Sequence, residues 1–263
     1  MADGSNQGSS SPPPARGLGA VKAHISSRPI EFGLFVTRVL TVFFAFNYFL
    51  PVLAIFGLGG SPYSSYYKAL MASAATSALR LHQRMPNFRM STEFLQQLFL
   101  EDSAHYLIYS VLFINSEPLT VVLMPVGLFA TLHGASYALA LLDAAGQNNA
   151  WLARTLISLV ELQSRNILRM VAFTEIFIMP LTVVMIFMGR VALFTPFLYY
   201  RFLCMRYASR RNPYTRAMFY ETRMALDQAA SSPKCPQGVR NMVWKFTAFV
   251  GRMAPPMEPQ NAQ

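Results

Sequence analysis

Charge is scarce in this chain. Charged residues make up 13% of its 263 positions, against about 25% in soluble domains. That deficit excludes an ordinary soluble domain. Cysteine is scarcer still, with only Cys204 and Cys235 present. Two widely spaced thiols build neither a disulfide framework nor a metal site. Cys204 lies where an apolar run meets a basic segment, so it reads as a free reduced thiol or as an S-palmitoylation site. The four histidines, His24, His82, His105 and His133, show no metal-ligand spacing. No H-E-x-x-H, P-loop, dinucleotide fingerprint or G-x-S-x-G elbow occurs. Glu161 and Arg165 have a spacing seen in some membrane proteases, but it is also that of an ordinary i,i+4 helical ion pair. Glu101 and Asp102 are adjacent, and adjacent residues on a helix point apart, so they form no catalytic pair. The sequence thus implies no catalytic residue, cofactor or metal, and no enzyme.

Acids are the rarest charges, 12 against 22 Lys and Arg, for a formal net charge of +10. The excess is uneven: from Arg201 onward ten basic residues face only Glu221, Asp227 and Glu258. No zinc-finger spacing, basic region with heptads or RNA-binding aromatic signature accompanies this charge. Nucleic acid is therefore not an expected partner. Anionic lipid head groups are, at about 1 kcal/mol per well-placed basic residue.

What is present in abundance is apolar sequence, 53% of the chain, with a mean hydropathy of +0.32. The stretch Met170 to Gly189 is almost unbroken, with Glu175 its only charge. It matches the roughly 20 apolar residues that a helix needs to cross a bilayer. A shorter run, VALFTPFLYY, follows Arg190. The chain then leaves through Arg201, Arg206, Arg210, Arg211 and Arg216. Lys and Arg collect on the cytosolic side of membrane segments, so this basic exit predicts a cytosolic C-terminal tail.

The first apolar run, near Leu34 to Leu58, is long enough to span with tilt. It starts too late for a cleavable signal and would act as an uncleaved anchor. Arg38 can snorkel from it, Pro51 can kink it, and Asn47 reads as a polar contact between helices. Residues 66–84 read as a helix of small residues at helical spacing, ended by Pro86. Ser91 is a good N-cap for the next helix, with Glu93 in its first turn. Residues 104–142 turn apolar at Tyr106 and stay so except for the tetrad Asn115-Ser-Glu-Pro118, His133 and a few hydroxyls. They form either one span with long flanks or a helical hairpin, and the polar tetrad favours the hairpin. Residues 150–169 read as an amphipathic helix, and Pro213 as the first turn of a helix over 214–229.

Residues 238–253 carry the clearest amphipathic pattern. Val239, Met242, Val243, Phe246, Phe249, Val250 and Met253 share one face. Arg240, Asn241, Lys245, Thr247, Ala248 and Arg252 share the other, with Trp244 toward the polar side. Either the stripe packs on the protein or the helix lies in the bilayer interface, and the basic face favours the bilayer. Glu175 is the sharpest single residue, because an ionisable group inside an apolar run marks a functional site. It could serve a channel. The structural alternative, favoured here, pairs it with Arg38, His105, His133 or a partner's polar group.

The chain order that results is a disordered Gly/Ser/Pro-rich arm (1–29), a multi-pass membrane domain (30–212), cytosolic basic helices (213–253) and a polar tail (254–263). The fold class is an all-α, multi-pass helical membrane protein with short hairpin-like segments and a C-terminal amphipathic helix.

Several of these segments together, Thr76-Ser-Ala-Leu-Arg-Leu-His-Gln-Arg84, Glu101-Asp-Ser-Ala-His-Tyr106, Asn166-Ile-Leu-Arg169, Glu175-Ile-Phe, Tyr199-Tyr-Arg-Phe and Ser209-Arg-Arg-Asn-Pro-Tyr214, resemble one family. It is the transmembrane protein 33 family, with insect Krüppel homolog 2 and yeast pore-membrane and tubule-shaping relatives. The resemblance runs from about Phe32 to about Arg252. It implies a non-enzymatic, multi-pass protein of the endoplasmic reticulum and nuclear envelope. It also implies a part in tubule organisation beside reticulon-like proteins, in nuclear pore assembly and in modulating the unfolded-protein response. The family is usually drawn with three spans, from which hairpins at 104–142 and 170–205 depart.

Overall fold

A computed structural model describes residues 16–51, 61–86, 91–147, 149–209 and 211–255. The sequence-predicted extension of the first span over 52–58, most of the N-terminal arm, Arg210 and the last eight residues lie outside these. The described residues are helical and, among them, carry no strand. Helices α1 (Leu18–Ser27), α2 (Pro29–Phe49), α3 (Pro62–Arg84), α4 (Thr92–Leu100) and α5 (Asp102–Ile114) come first. Then follow α6 (Leu123–Ala145), α7 (Trp151–Ile157), α8 (Ser164–Phe187), α9 (Thr195–Ala208), α10 (Tyr214–Ala230) and α11 (Gln237–Met253).

Three stretches among the described residues are long and apolar enough to cross a membrane: Pro29–Phe49, Thr120–Ala145 and Ser164–Phe187. Between them run shorter or more polar helices that reverse direction. The tetrad after Ile114 ends α5 and a short 3-10 turn, Thr120–Val122, starts the way back into α6. Gly189, at φ 69°, ends α8, and the chain returns as α9. At 13 and 14 residues, α5 and α9 are about 20 Å long, short of the roughly 30 Å hydrocarbon core. The fold is therefore all-α and multi-pass, with short hairpin-like segments.

The core is aromatic. Tyr66, Tyr109, Phe113, Tyr199 and Phe202 are fully buried where α3, α5 and α9 meet. The Tyr109 ring lies 5.0 Å from Phe113 and 5.1 Å from Phe202. Its hydroxyl donates to the Val122 carbonyl at 2.8 Å. Hydrocarbon gives no hydrophobic force between helices, so close packing and polar contacts hold the bundle. Helix α3 is built for that role. Ser65 accepts from Asn47 on α2 at 2.7 Å, Thr76 donates to Thr37 on α2 at 2.8 Å, and Ser73 accepts from Ser110 on α5 at 3.2 Å. Large apolar side chains point the other way: Phe43, Phe46, Phe173 and Phe177 are exposed on α2 and α8.

Both ends of the described chain lie on one side. Helix α1 docks on the C-terminal end of α6, with the Gly17 N–H donating to the Ala144 carbonyl at 3.0 Å. Arg169, near the start of α8, pairs with Glu221 of α10 at 2.6 Å. Arg84, ending α3, and Glu101, preceding α5, meet there too. At the opposite end Tyr48 meets Thr120, and Arg190 faces Glu117.

Several boundaries differ from the sequence reading. Residues 18–27, assigned to the disordered arm, form α1, because Leu18–Ser27 is free of proline and finds a docking surface on α6. Pro51 does not kink the first span. The helix stops at Phe49 with Leu50 extended, the conformation that a residue close before proline favours. The amphipathic helix expected over 150–169 is divided by a π-helical turn at Ser158–Leu162, and its last residues open α8. Asn212 rather than Pro213 secures the start of α10, by accepting from the Tyr214 N–H at 3.0 Å.

Candidate functional site

The charge in the longest apolar run does not face lipid. Glu175, in the middle of α8, is 0% exposed, and Arg206, in the last turn of α9, is 1% exposed. The hairpin turn at Gly189 brings them together. Arg206 Nε donates to both carboxylate oxygens of Glu175 at 3.2 Å. Arg206 Nη1 reaches Asp102 Oδ1 at 3.2 Å, at the start of α5. Ser209 donates to the same oxygen at 2.9 Å. The Tyr106 hydroxyl donates to Glu175 Oε1, and the Tyr199 hydroxyl to the Glu175 carbonyl at 2.7 Å. The guanidinium lies 5.1 Å from the Tyr106 ring centroid, where a desolvated cation gains from the ring face. Three helices are thereby locked by one ion pair and its hydrogen bonds.

The sequence reading offered Arg38, His105, His133 or a partner's group for Glu175; the structure supplies Arg206 instead. Arg206 had been assigned to the basic exit at the membrane surface. That assignment is corrected: the guanidinium is drawn inward because Glu175 and Asp102 outweigh hydration at the end of α9. His105 is turned to another task, with Nε2 2.6 Å from the Phe99 carbonyl. Asp102 was not singled out as a partner, and its only signal was its place in the Glu101–Tyr106 segment.

The rest of the basic exit divides. Arg201 is exposed and Arg216 half-buried. Arg211 donates to Glu101 Oε2 at 2.7 Å, and Arg84 to the same oxygen at 2.9 Å. Burial opposes ionisation of Glu101, but the Arg211 hydrogen bond and the two positive charges outweigh it and hold the carboxyl below the usual range. The two adjacent acids thus serve different arginines. Asn47 is buried and bound to Ser65.

Helix α11 also carries apolar side chains outward. Val239, Met242, Phe246 and Phe249 face outward, Met242 at 65% and Phe249 at 58% exposure. Val243 and Val250 are half-buried. A few contacts hold the helix to the protein. Thr247 is buried against Asp227 at 3.4 Å, and Tyr200 of α9 donates to the Met253 carbonyl at 2.8 Å. Lys245 and Arg252 are exposed. Arg240, grouped with them as a membrane-surface residue, instead donates to the Ala230 and Ser232 carbonyls at 3.0 and 3.3 Å. It caps α10, whose last carbonyls lack helical partners.

A family model described as Transmembrane protein 33/Nucleoporin POM33 matches residues 13–256. The match begins before Phe32 and takes in α1. Krueppel homolog 2 of Drosophila melanogaster is 45% identical over 240 residues, 91% of this chain and 84% of that protein. Transmembrane protein 33 of Homo sapiens is 43% identical over 240 residues, 91% and 95% of the two chains. The Caenorhabditis elegans homolog is 40% identical over 239 residues, 90% and 86%. No solved structure matches the chain. A membrane bundle tied by Glu175 and Arg206, within a match covering nearly the whole chain, makes this protein a member of the transmembrane protein 33/POM33 family.

Proposed function

We propose that this chain is a non-enzymatic scaffold that bends and organises membranes of the endoplasmic reticulum and nuclear envelope. The observation that carries this reading is α11: Thr247 and the Met253 carbonyl tie it to α10 and α9, while Met242, Phe246 and Phe249 of its apolar stripe are left uncovered. A helix so mounted inserts into the interface and adds area to one leaflet. Tyr200 lies eight residues before the end of α9, about 12 Å along the helix. This depth suits the boundary between head groups and acyl chains. The short hairpin helices α5 and α9 add a second asymmetry, since neither crosses the whole core.

The arginine-rich end, with Arg28, Arg84, Arg165, Arg169 and Arg211, is assigned to the cytosol by the bias of basic residues. Both described termini then face the cytosol, and α11 acts on the cytosolic leaflet. The family description as a nucleoporin supports a place at the nuclear pore membrane. Reticulon-like proteins and nuclear pore components are the partners this reading expects, and a role in the unfolded-protein response is expected from the family resemblance alone.

The ion-channel alternative built on Glu175 is not favoured, because that carboxylate is occupied by Arg206 and Tyr106. Reconstitution of the full chain tests the proposal. Wild-type protein should tubulate or shrink liposomes, and Phe246→Glu with Phe249→Glu should not. Equal vesicle shapes for both would remove α11 from the mechanism. Cation flux lost in Glu175→Gln would favour the channel instead.

A further inference from the structure

Beside the buried ion pair lies a cavity of about 270 Å³, between α2, α3, α5, α6 and the start of α10. Its charge does not balance. Arg38, Arg80, Arg84, Arg206 and Arg211 line it, against Glu101 and Asp102. Glu175, behind Arg206, supplies one more negative charge. Two positive charges are left over. They are located: Arg84 and Arg211 share Glu101, and Arg206 is held by Glu175 and Asp102. Arg38 and Arg80 make no salt bridge among the described residues. Arg38 is 8% exposed and sits in the middle of a membrane-spanning helix, where an uncompensated guanidinium is costly. A second observation lies at the same wall: Arg206 lines the cavity, and its Nη2 is buried with no hydrogen-bond partner. The hydroxyls of Thr41, Ser73 and Ser77 line the wall as well.

We propose that this cavity binds a phosphate-bearing anion. Arg38 and Arg80 would neutralise it, the Ser73 and Ser77 hydroxyls would donate to it, and a small shift of the wall would let the unpartnered Arg206 Nη2 do the same. Planar guanidinium forks match phosphate oxygens in pairs. The walls also include Val126, Phe129 and Ala130, an apolar side that suits the glycerol and first methylenes of a lipid. Basic pockets between transmembrane helices hold anionic head groups in this way. The same chemistry could be met by a soluble phosphate, and the two sources separate by experiment. The site is independent of α11 and stands whether or not that helix bends membranes.

Full-length protein in an uncharged detergent is titrated with phosphatidic acid, with phosphatidylcholine, and with inorganic phosphate, and its thermal unfolding midpoint is followed. A saturable rise with phosphatidic acid and none with phosphatidylcholine assigns a lipid; a saturable rise with inorganic phosphate assigns the soluble source. Arg80→Gln, at a half-buried position, should raise the half-saturating concentration at least tenfold. Arg38→Met should raise the ligand-free midpoint, because it removes an unpaired buried charge, and should abolish the response. Lys245→Gln with Arg252→Gln on α11 should leave the response unchanged. No saturable response to either anion overturns the proposal. So does an equal response from wild type and Arg80→Gln, or a ligand-free midpoint lowered by Arg38→Met.

Discussion

The bundle around Glu175 and the helix α11 solve opposite problems with the same residue types. In the bundle, arginine, glutamate and tyrosine hydroxyls face inward and phenylalanines such as Phe173 and Phe177 face out. In α11 Thr247 also faces the protein, and Met242, Phe246 and Phe249 face out. Both are inside-out relative to a soluble domain, because the surrounding solvent is lipid. They differ in closure. The charges at Glu175, Arg206 and Asp102 are committed to each other, so that region is a lock. Met242, Phe246 and Phe249 of the α11 stripe are uncovered in the described chain, so that region is a surface awaiting a medium.

The largest effect should come from breaking the lock on one side. Arg206→Ala leaves Glu175 buried without its cation, which costs about 3–5 kcal/mol in comparable pairs; loss of folded protein in detergent, by thermal unfolding, checks it. The paired change Glu175→Gln with Arg206→Met should recover most of that loss. If the double variant is as unstable as the single one, the ion pair is not the lock. Next in size, each phenylalanine of the α11 stripe contributes about 1.5–3 kcal/mol when buried. Phe249→Ala should therefore weaken liposome binding of the tail roughly tenfold or more while the unfolding midpoint of the bundle stays put. A midpoint that falls with it would mean the stripe packs on protein instead.

Smaller is Asn47→Leu, which removes the buried interhelical hydrogen bond to Ser65, a class worth about 0.6 to 1.7 kcal/mol, read as a modest drop in midpoint. Smallest is the half-exposed clamp of Arg84 and Arg211 on Glu101, in the range of about 0–1 kcal/mol. The Glu101 carboxyl is held below its unfolded value of about 4.3. Its contribution is thus complete above that pH and is lost as pH falls through the lower folded value. Arg211→Gln should shrink the acid-side loss of stability, measured as unfolding midpoint against pH.

Much of this architecture was legible in advance for a physical reason. A run such as Met170 to Gly189 needs only its own length and composition to be a span. The Asn115–Pro118 tetrad marks a reversal, since lipid cannot satisfy its backbone. The face of Val239 to Met253 follows from helical spacing alone. What periodicity could not reveal was partnership. Arg206 sits in a row of arginines that all look alike in the sequence, and among the described ones only Arg206 lies opposite Glu175. Arg240 looks like a lipid-facing cation until the end of α10 is seen to need a cap. The helical arm at Leu18–Ser27 was hidden because composition was averaged over a longer Pro/Ser-rich stretch.

By itself, then, the order of residues determined that this protein lives in a bilayer, where its long spans lie and which end is basic, because those properties depend on local chain. The tertiary structure decided which charges are spent inside and which remain available. Arg206 reaches Glu175 only because Gly189 turns the chain back, and Arg38 and Arg80 meet in one cavity only because α2 and α3 pack side by side there.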